Sequence, residues 1–337
     1  AAMTADEYCQ NKAAGSGSSF YYSFLFLPPV RRRAITALYA YCREVDDVVD
    51  EVSDPALAQT KLDWWRSEIE RLFAGQPQHP VTRALAPHLE PFGITRERLL
   101  QVIEGMQMDL RQSRYLDFAN LRRYCHLVAG VVGEMAAGIF GTSDPRTLEY
   151  ARQLGLALQL VNIVRDVGED AGLGRVYLPA QWLREEGIDA EAWLARPVFD
   201  ERLARVVQRL VDEAERLYQR AECGVPALPR DCRPGIQAAR LVYGEIGQAL
   251  ARAGLDSVNR RTVVPRGRQL ALVARSLLAS LVPPGHPLTA GGALPPLPAV
   301  RFLVEAAADE RLPARTFYQR TVRVLELLER QAQREMA

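Results

Sequence analysis

Apolar residues recur along most of this chain with the spacing of amphipathic helices. The pattern predicts helices over residues 30–51, 95–114, 121–140, 145–170, 199–222, 233–253 and 266–281. Thr4 and Glu7 form a capping box that opens a first short helix. Asp54 and Pro55 begin another helix, which ends at Gly75. Because no run of alternating apolar and polar residues is long enough for a strand, the sequence predicts an all-α protein.

Two polar stripes interrupt this apolar pattern, each on one face of a predicted helix. The first lies on the helix over residues 30–51 and consists of Tyr39, Arg43, Asp46 and Asp50. The second lies on the helix over residues 145–170 and consists of Gln159, Asn162, Asp166 and Asp170. The matching spacing of their aspartates indicates a shared role.

The surroundings of the stripes favour a metal site. Residues 154–164 are apolar almost all round, which predicts a buried helix in which Gln159 and Asn162 need partners. Aspartates four residues apart repel each other by roughly 0.2–0.5 kcal/mol per pair, so a neighbouring cation is expected. Oxygen ligands favour a hard cation such as Mg²⁺, which usually shares its coordination shell with substrate phosphates. The alternative is that both stripes are solvated acidic faces of surface helices.

Basic and small residues extend this interpretation. Arg43 and Arg165 lie beside the aspartates, and Arg175 follows in a glycine-containing loop. Arginine binds the oxygens of a diphosphate group bidentately, although each of these arginines could instead pair with a neighbouring aspartate. The small residues within 127–140 could line a cavity for a long apolar substrate or could allow close helix packing.

Composition bounds the class of protein. Apolar residues make up 48% and charged residues 25% of the 337 residues, which is ordinary for a globular protein. The net charge of +1 gives no reason to expect a nucleic-acid partner. The odd number of scattered cysteines predicts neither a zinc site nor a disulfide framework; they are Cys9, Cys42, Cys125, Cys223 and Cys232. Since we find no signal-peptide or membrane-spanning pattern, a cytoplasmic protein is expected.

Three segments make up the predicted organisation of the chain. A single helical domain is expected over residues 4–281. Residues 282–298 are rich in Pro and Gly and predict a linker. Residues 299–337 form a C-terminal tail that could contain one or two helices.

The sequence around both stripes resembles squalene and phytoene synthases, with similarity over residues 8–278. The blocks that carry the resemblance are residues 18–22 (SSFYY), 41–50 (YCREVDDVVD), 124–133 (YCHLVAGVVG) and 162–170 (NIVRDVGED). Within the family, residues 16–51 and 260–278 are most similar to bacterial presqualene diphosphate synthases of the hopanoid pathway.

The resemblance implies a fold, a reaction and a set of site residues. The fold would be an isoprenoid synthase helical bundle around a central cavity. The reaction would be a Mg²⁺-dependent, head-to-head condensation of two farnesyl diphosphates to presqualene diphosphate. The implied metal ligands are Asp46, Asp50, Asn162, Asp166 and Asp170. Catalysis would rest on the four aspartates and on Tyr124 at the reacting carbons. The implied substrate-binding residues are Ser19, Phe20, Tyr39, Arg43, Gln159, Arg165, Arg175 and Tyr177.

The apolar product suggests two further partners. We expect the product to pass to a downstream squalene-forming enzyme. Peripheral contact with the inner face of the membrane is expected through a cluster of basic residues, whose members are Arg260, Arg261, Arg266, Arg268 and Arg275.

Several other functions remain open. A phytoene synthase would perform the same condensation on geranylgeranyl diphosphate. A full squalene synthase would also need a reductant, and the sequence has no glycine-rich nucleotide motif between a strand and a helix. A class I terpene cyclase would also pair two metal motifs. A non-catalytic assembly protein on this fold would be expected to lose the acidic residues, and both stripes are intact. A helical scaffold without a ligand would fail to bind Mg²⁺ and diphosphate.

Overall fold

The computed structural model describes residues 2–15, 28–139, 141, 145–222, 255, 256 and 258. Its helices, in chain order, are α1 (Ala5–Gly15), α2 (Pro29–Glu51), α3 (Pro55–Phe73), α4 (Pro80–Leu85), α5 (Arg96–Arg111), α6 (Phe118–Cys125), α7 (Val131–Ile139), α8 (Pro145–Arg165), α9 (Val167–Gly172), α10 (Ala180–Glu185), α11 (Ala190–Ala195) and α12 (Glu201–Glu222). The described residues contain no strand, and the predicted all-α class is confirmed.

Side-chain caps fix where several helices begin. The capping box at α1 is confirmed, since Glu7 N–H donates to Thr4 Oγ1 (3.1 Å) and Thr4 N–H donates to Glu7 Oε2 (3.0 Å). Asp54 caps α3 by accepting a hydrogen bond from the backbone of Ala56. Thr95 caps α5 in the same way. These contacts satisfy backbone N–H groups that have no partner within the helix.

Two predicted helices are divided in the structure. The helix predicted over residues 145–170 breaks at Asp166, where φ is −105° and ψ is 17°, and resumes as α9. The helix predicted over residues 121–140 begins earlier, because Asp117 caps α6, and contains a π-helical segment at His126–Gly130. Helices α4, α10 and α11 were not predicted, because six residues are too few to establish a helical period.

Several expectations fall outside the described residues. They are the helices predicted over residues 233–253 and 266–281, the linker, the tail, Ser19, Phe20 and the arginines at positions 260–275. None of the described helices is long and apolar enough to cross a membrane.

Helix α8 lies at the centre of the packing, with α7 and α12 against it. Its apolar residues are buried, as the all-round apolar pattern predicts; they include Leu156, Leu160, Val161 and Val164. Elsewhere in the bundle, α1 packs on α2 and α4, and α3 packs on α5. Helix α2 also contacts α7, which in turn packs on α8, so α7 lies between the two helices that carry the polar stripes in this chain of contacts.

Glycines bring the backbone of α8 against α7 and the π-helical segment. A methyl group at Gly155 would overlap the carbonyl oxygen of Ala129, and one at Gly133 would overlap that of Ala151. Only glycine allows backbones to approach this closely. At Gly133 the small residue therefore serves close helix packing, which was one of the two roles that the sequence left open for residues 127–140.

Candidate active site

The first polar stripe lies on α2, where Arg43 forms ion pairs with two aspartates. Its Nη1 lies 2.9 Å from Asp46 Oδ2, and its Nη2 lies 3.3 Å from Asp47 Oδ1. Tyr39, one turn earlier, is half-buried against the core. Asp50 lies in the last turn of α2. The pairing with Asp46 holds one stripe carboxylate and one stripe cation together on the same face.

Helix α1 engages the acidic residues of α2 that lie beside the stripe. The Tyr8 hydroxyl donates a hydrogen bond to Glu44, and the Lys12 ammonium group pairs with Asp47. Lys12 Nζ also lies 3.9 Å from Glu44 Oε1. Asp47 is thus tied to α1 as well as to Arg43.

The second polar stripe lies on α8 and continues across the break at Asp166. Asp166 N–H donates to the carbonyl of Asn162 (3.0 Å), and Asp170 N–H donates to the carbonyl of Asp166 (2.8 Å). Because these bonds keep the helical spacing, the polar residues stay on one face. Arg165 forms a bidentate ion pair with Asp166, with Nε–Oδ1 at 2.9 Å and Nη2–Oδ2 at 3.1 Å. Gln159 is half-buried one turn before Asn162.

Arg175 connects the two stripes. Its backbone N–H donates to the carbonyl of Asp170 (2.9 Å), at the end of the second stripe. Its Nη2 donates to the carbonyl of Val49 (2.9 Å), which directly precedes Asp50 in α2. The loop after the second stripe is therefore bonded to the last turns of the helix that carries the first stripe, and both stripes border one region.

Three tyrosine rings stack beside this connection. The ring centroids of Tyr124 and Tyr177 lie 5.6 Å apart, and those of Tyr115 and Tyr177 lie 5.4 Å apart. Tyr115 and Tyr124 close the group at 5.3 Å. All three rings are buried. Packed aromatic rings of this kind exclude water and offer π faces that stabilise a positive charge.

A buried carboxylate, Asp109 on α5, supports the tyrosines and Arg175. The hydroxyl of Tyr177 donates to it at 2.7 Å, and the hydroxyl of Tyr115 donates at 3.2 Å. Arg175 Nη1 donates to Asp109 Oδ2 at 2.7 Å. Asp109 is only 3% exposed, so these bonds replace the water that an ionised carboxylate needs.

Burial and nearby carboxylates keep the three phenols neutral. Burial raises the pKa of Tyr177, and the carboxylate of Asp109 raises it further. The same two causes, in the same order, raise the pKa of Tyr115. Burial also raises the pKa of Tyr124, with weaker contributions from Asp109 and then from Asp46. The phenols therefore act as hydrogen-bond donors and neutral aromatic surfaces at physiological pH.

The oxygen ligands on the stripes fit a hard cation. Asn162 Oδ1 is buried without a hydrogen-bond partner among the described residues, which leaves it suited to an external ligand. The described residues contain no group of three or more His, Cys, Asp or Glu side chains that could hold a metal ion by themselves. Two separate stripes suit Mg²⁺, which usually binds one or two protein carboxylates together with substrate phosphates.

The structure brings together three of the site residues that the sequence predicts, and their roles stay predictions. Arg175 and Tyr177 meet at Asp109, and Tyr124 stacks on Tyr177. Sequence reasoning missed Asp109 and Tyr115. The sequence does contain an indication that Asp109 is buried, because this residue is in helical register with Leu99, Val102 and Met106, which are buried on the same face of α5. An acidic residue in register with a buried apolar face marks a carboxylate with specific partners.

Comparisons with known proteins match one enzyme family over most of the chain. The sequence model of the squalene/phytoene synthase family matches residues 13–268. A phytoene synthase from Rhodobacter capsulatus is 40% identical over 310 residues, which is 91% of this chain and 91% of the relative. A phytoene synthase from Cereibacter sphaeroides is 39% identical over 96% of this chain and 93% of the relative.

A solved structure supports the fold. The crystal structure of a dehydrosqualene synthase in complex with a ligand matches 82% of this chain and 96% of its own chain, with a TM-score of 0.74 and 27% sequence identity. The helical bundle is therefore an isoprenoid synthase fold, as the resemblance implied.

Proposed function

Because the chain belongs to the squalene/phytoene synthase family, we propose that it condenses two molecules of geranylgeranyl diphosphate head to head to form phytoene. The observation that supports this choice is the 39–40% identity to phytoene synthases over more than nine-tenths of both chains. The connection of both polar stripes through Arg175 supports a single site for the two diphosphate groups.

The expected farnesyl diphosphate substrate is less well supported. That expectation depended on the similarity of residues 16–51 and 260–278 to presqualene diphosphate synthases. Much of these two segments lies outside the described residues, and neither spans the whole chain. The identity to phytoene synthases extends over nearly the full length, so geranylgeranyl diphosphate is the better-supported substrate.

We assign Mg²⁺ to the two stripes, which makes the enzyme a Mg²⁺-dependent prenyltransferase. The proposed ligands are Asp46, Asp50, Asn162, Asp166 and Asp170. Bound there with the substrate phosphates, Mg²⁺ would neutralise the charge that builds up on the departing diphosphate. The unpartnered Oδ1 of Asn162 supports this assignment.

The side chains of the enzyme are proposed to bind the diphosphate groups and to protect the carbocation intermediate from water. Arg43, Arg165 and Arg175 would bind diphosphate oxygens, because guanidinium groups match them bidentately. Departure of one diphosphate leaves an allylic cation, which the C2–C3 double bond of the second substrate attacks. Loss of a proton then closes a cyclopropane ring, which still carries the second diphosphate. Departure of that diphosphate, rearrangement of the resulting cyclopropylcarbinyl cation and loss of a second proton give phytoene. The stacked rings of Tyr124 and Tyr177 are proposed to keep water from the cation and to stabilise its charge.

Incubation of the purified enzyme with each prenyl diphosphate tests the proposal. Geranylgeranyl diphosphate with Mg²⁺ is expected to yield phytoene without NADPH, and EDTA is expected to stop the reaction. Chromatography with mass detection identifies the products. Exclusive conversion of farnesyl diphosphate, with no product from geranylgeranyl diphosphate, would contradict the proposed substrate.

A second candidate is the condensation of two farnesyl diphosphates to presqualene diphosphate. The observation in its favour is the structural match to a protein named dehydrosqualene synthase. In the same incubation, this candidate predicts a cyclopropyl diphosphate from farnesyl diphosphate and no squalene on addition of NADPH. A squalene product that requires NADPH would instead indicate a full squalene synthase.

Peripheral membrane contact and transfer of product to a downstream enzyme belong to the same proposal. Their support is chemical, because the hydrocarbon product is far more apolar than its substrates. Co-sedimentation with anionic vesicles tests the contact. Binding that weakens with salt and is lost in an Arg266→Glu/Arg268→Glu variant is expected. Equal recovery in the supernatant with and without anionic lipid contradicts it.

A further inference from the structure

Asp109 is a buried carboxylate with no role in the proposed metal site. It lies on the buried face of α5 and is 3% exposed. Moving an ionised carboxylate out of water is costly unless hydrogen bonds or opposite charges replace the lost hydration. The groups that bond to Asp109 therefore indicate which part of the protein it positions.

Asp109 joins α5 to groups from two other segments of the chain. Tyr115, which follows α5, donates to Oδ1 at 3.2 Å. Tyr177, in the loop before α10, donates to Oδ1 at 2.7 Å. Arg175, from the same loop, donates to Oδ2 at 2.7 Å. One carboxylate thus fixes a cation and two phenols relative to α5.

The groups that Asp109 holds are the ones that border the site. Arg175 also bonds to the backbone of Val49 and of Asp170, at the ends of the two stripes. Tyr177 stacks on Tyr124 at 5.6 Å. A guanidinium that is anchored before substrate arrives needs no reorganisation during the reaction, and such preorganisation accelerates ionic steps.

We propose that Asp109 is a positioning residue that fixes Arg175 and Tyr177 for the ionisation of the prenyl diphosphate. The inference depends on the proposed function, because it assumes that the site binds a diphosphate. Asp109 acts through Arg175 and Tyr177 and contacts no reacting atom.

Glu68 provides a matched control for a merely structural carboxylate. It is fully buried, at 0% exposure, and accepts hydrogen bonds from the backbone of Gln78 (2.9 Å) and His79 (2.8 Å). Arg71 pairs with it at 2.8 Å. Glu68 therefore resembles Asp109 in burial and in having a charged partner, but it holds α3 to α4 rather than the tyrosine cluster.

The first experiment compares Asp109→Asn with Glu68→Gln. Both variants are expected to lower the melting temperature, because each leaves buried donors without a charged partner. Asp109→Asn is expected to lower kcat of the folded enzyme about 100-fold and to raise KM less, as for a misplaced catalytic group. Glu68→Gln is expected to leave kcat within about twofold. Equal kcat in both variants would overturn the proposal.

A double-mutant cycle tests whether Asp109 acts through Tyr177. Tyr177→Phe is expected to lower kcat, and adding Asp109→Asn to it is expected to cost much less than in the wild type. Additive effects would contradict the proposal. If Asp109→Asn does not fold, the cycle uses Arg175→Lys and Tyr177→Phe instead. Asp109 holds both side chains, so the loss of kcat in the double variant should be less than additive.

A binding measurement separates this inference from the substrate assignment. Inorganic diphosphate with Mg²⁺ is titrated calorimetrically into each variant. Asp109→Asn is expected to weaken binding about 10-fold, and Glu68→Gln is expected to leave it unchanged. Unchanged binding in Asp109→Asn overturns the positioning role whichever prenyl chain the enzyme accepts. A wild type that makes no phytoene contradicts only the proposed function.

Discussion

The two polar stripes have matching aspartate spacing, but their helices are held in different ways. The stripe on α2 is fixed from the side, because Tyr8 and Lys12 of α1 bind Glu44 and Asp47 next to it. The stripe on α8 is fixed through the backbone, because Gly155 lets α8 contact Ala129 directly. Side-chain ion pairs tolerate small shifts, whereas contact between backbones does not.

This difference separates two kinds of residue around the site. Near α2, the residues beside the stripe are structural and polar, and each can be changed with a modest loss. Near α8, two glycines, Gly133 and Gly155, determine how closely the helix approaches its neighbours. The two stripes should therefore respond alike to loss of a stripe aspartate and unlike to changes in their supports.

The largest expected effect is the same on both stripes. Asp46→Asn and Asp166→Asn should each lower turnover at least about 10²–10³-fold, because each removes a charge proposed to bind Mg²⁺. Circular dichroism should show that the fold is kept. Product formation at saturating Mg²⁺ measures the effect.

Off-stripe acids supply the controls for this comparison. Glu169 is exposed, and Asp47 is tied to Lys12, so Glu169→Gln and Asp47→Asn should keep more activity than the stripe variants. Near-normal turnover in Asp46→Asn or Asp166→Asn would remove the metal assignment from that stripe.

Much of this arrangement could be predicted from sequence because it depends on short-range periodicity. The spacing of Asp46 and Asp50, or of Asn162 and Asp166, places side chains on one helix face without knowledge of the tertiary fold. The family resemblance then implies that Tyr124 and Tyr177 are site residues, which stays a prediction, and the structure stacks their rings.

The features that sequence reasoning missed depend on contacts between distant segments. Asp109 meets Arg175 across the fold, and no spacing within the sequence encodes that meeting. The break at Asp166 and the π-helical segment His126–Gly130 fall within stretches whose periodicity is that of a continuous helix. The close contact at Gly155 likewise depends on which helix packs there.

The second-largest effect should appear only on the α8 side. Gly155→Ala adds a methyl group that overlaps the carbonyl of Ala129, and neither backbone can move without repacking. Overpacking of this kind costs about 1–3 kcal/mol of unfolding free energy. Urea denaturation measures the loss. Gly172→Ala is the control, since a methyl group there meets nothing within 4 Å. Equal stability of the two variants would contradict the backbone contact.

A smaller effect should appear on the α2 side. Lys12→Met removes the ammonium group from Asp47 and Glu44 but keeps the apolar part of the side chain. Because these pairs are partly exposed, the expected loss is about 0.2–1 kcal/mol of unfolding free energy. Turnover should fall far less than in Asp46→Asn. Lys61→Met, at an exposed position of α3, is the control and should change neither quantity. A loss as large as that of Gly155→Ala would contradict the contrast between the two supports.

The smallest effect concerns acid stability and involves three histidines whose pKa values are lowered chiefly by burial. His79 and His88 lie near α1 and α2, whereas His126 lies against α8. The unfolded chain binds protons at these residues near pH 6.5 and the folded protein only at lower pH, so stability should fall as pH drops below about 6.5. Carboxylates with lowered pKa values, such as Glu68, contribute to the pH dependence of stability only below about pH 4.5.

Urea midpoints measured between about pH 7 and pH 5 therefore isolate the contribution of the histidines. His79→Gln/His88→Gln should flatten the slope more than His126→Gln, because two of the three histidines support the α2 side. An unchanged slope in both variants would show that acid sensitivity has another source.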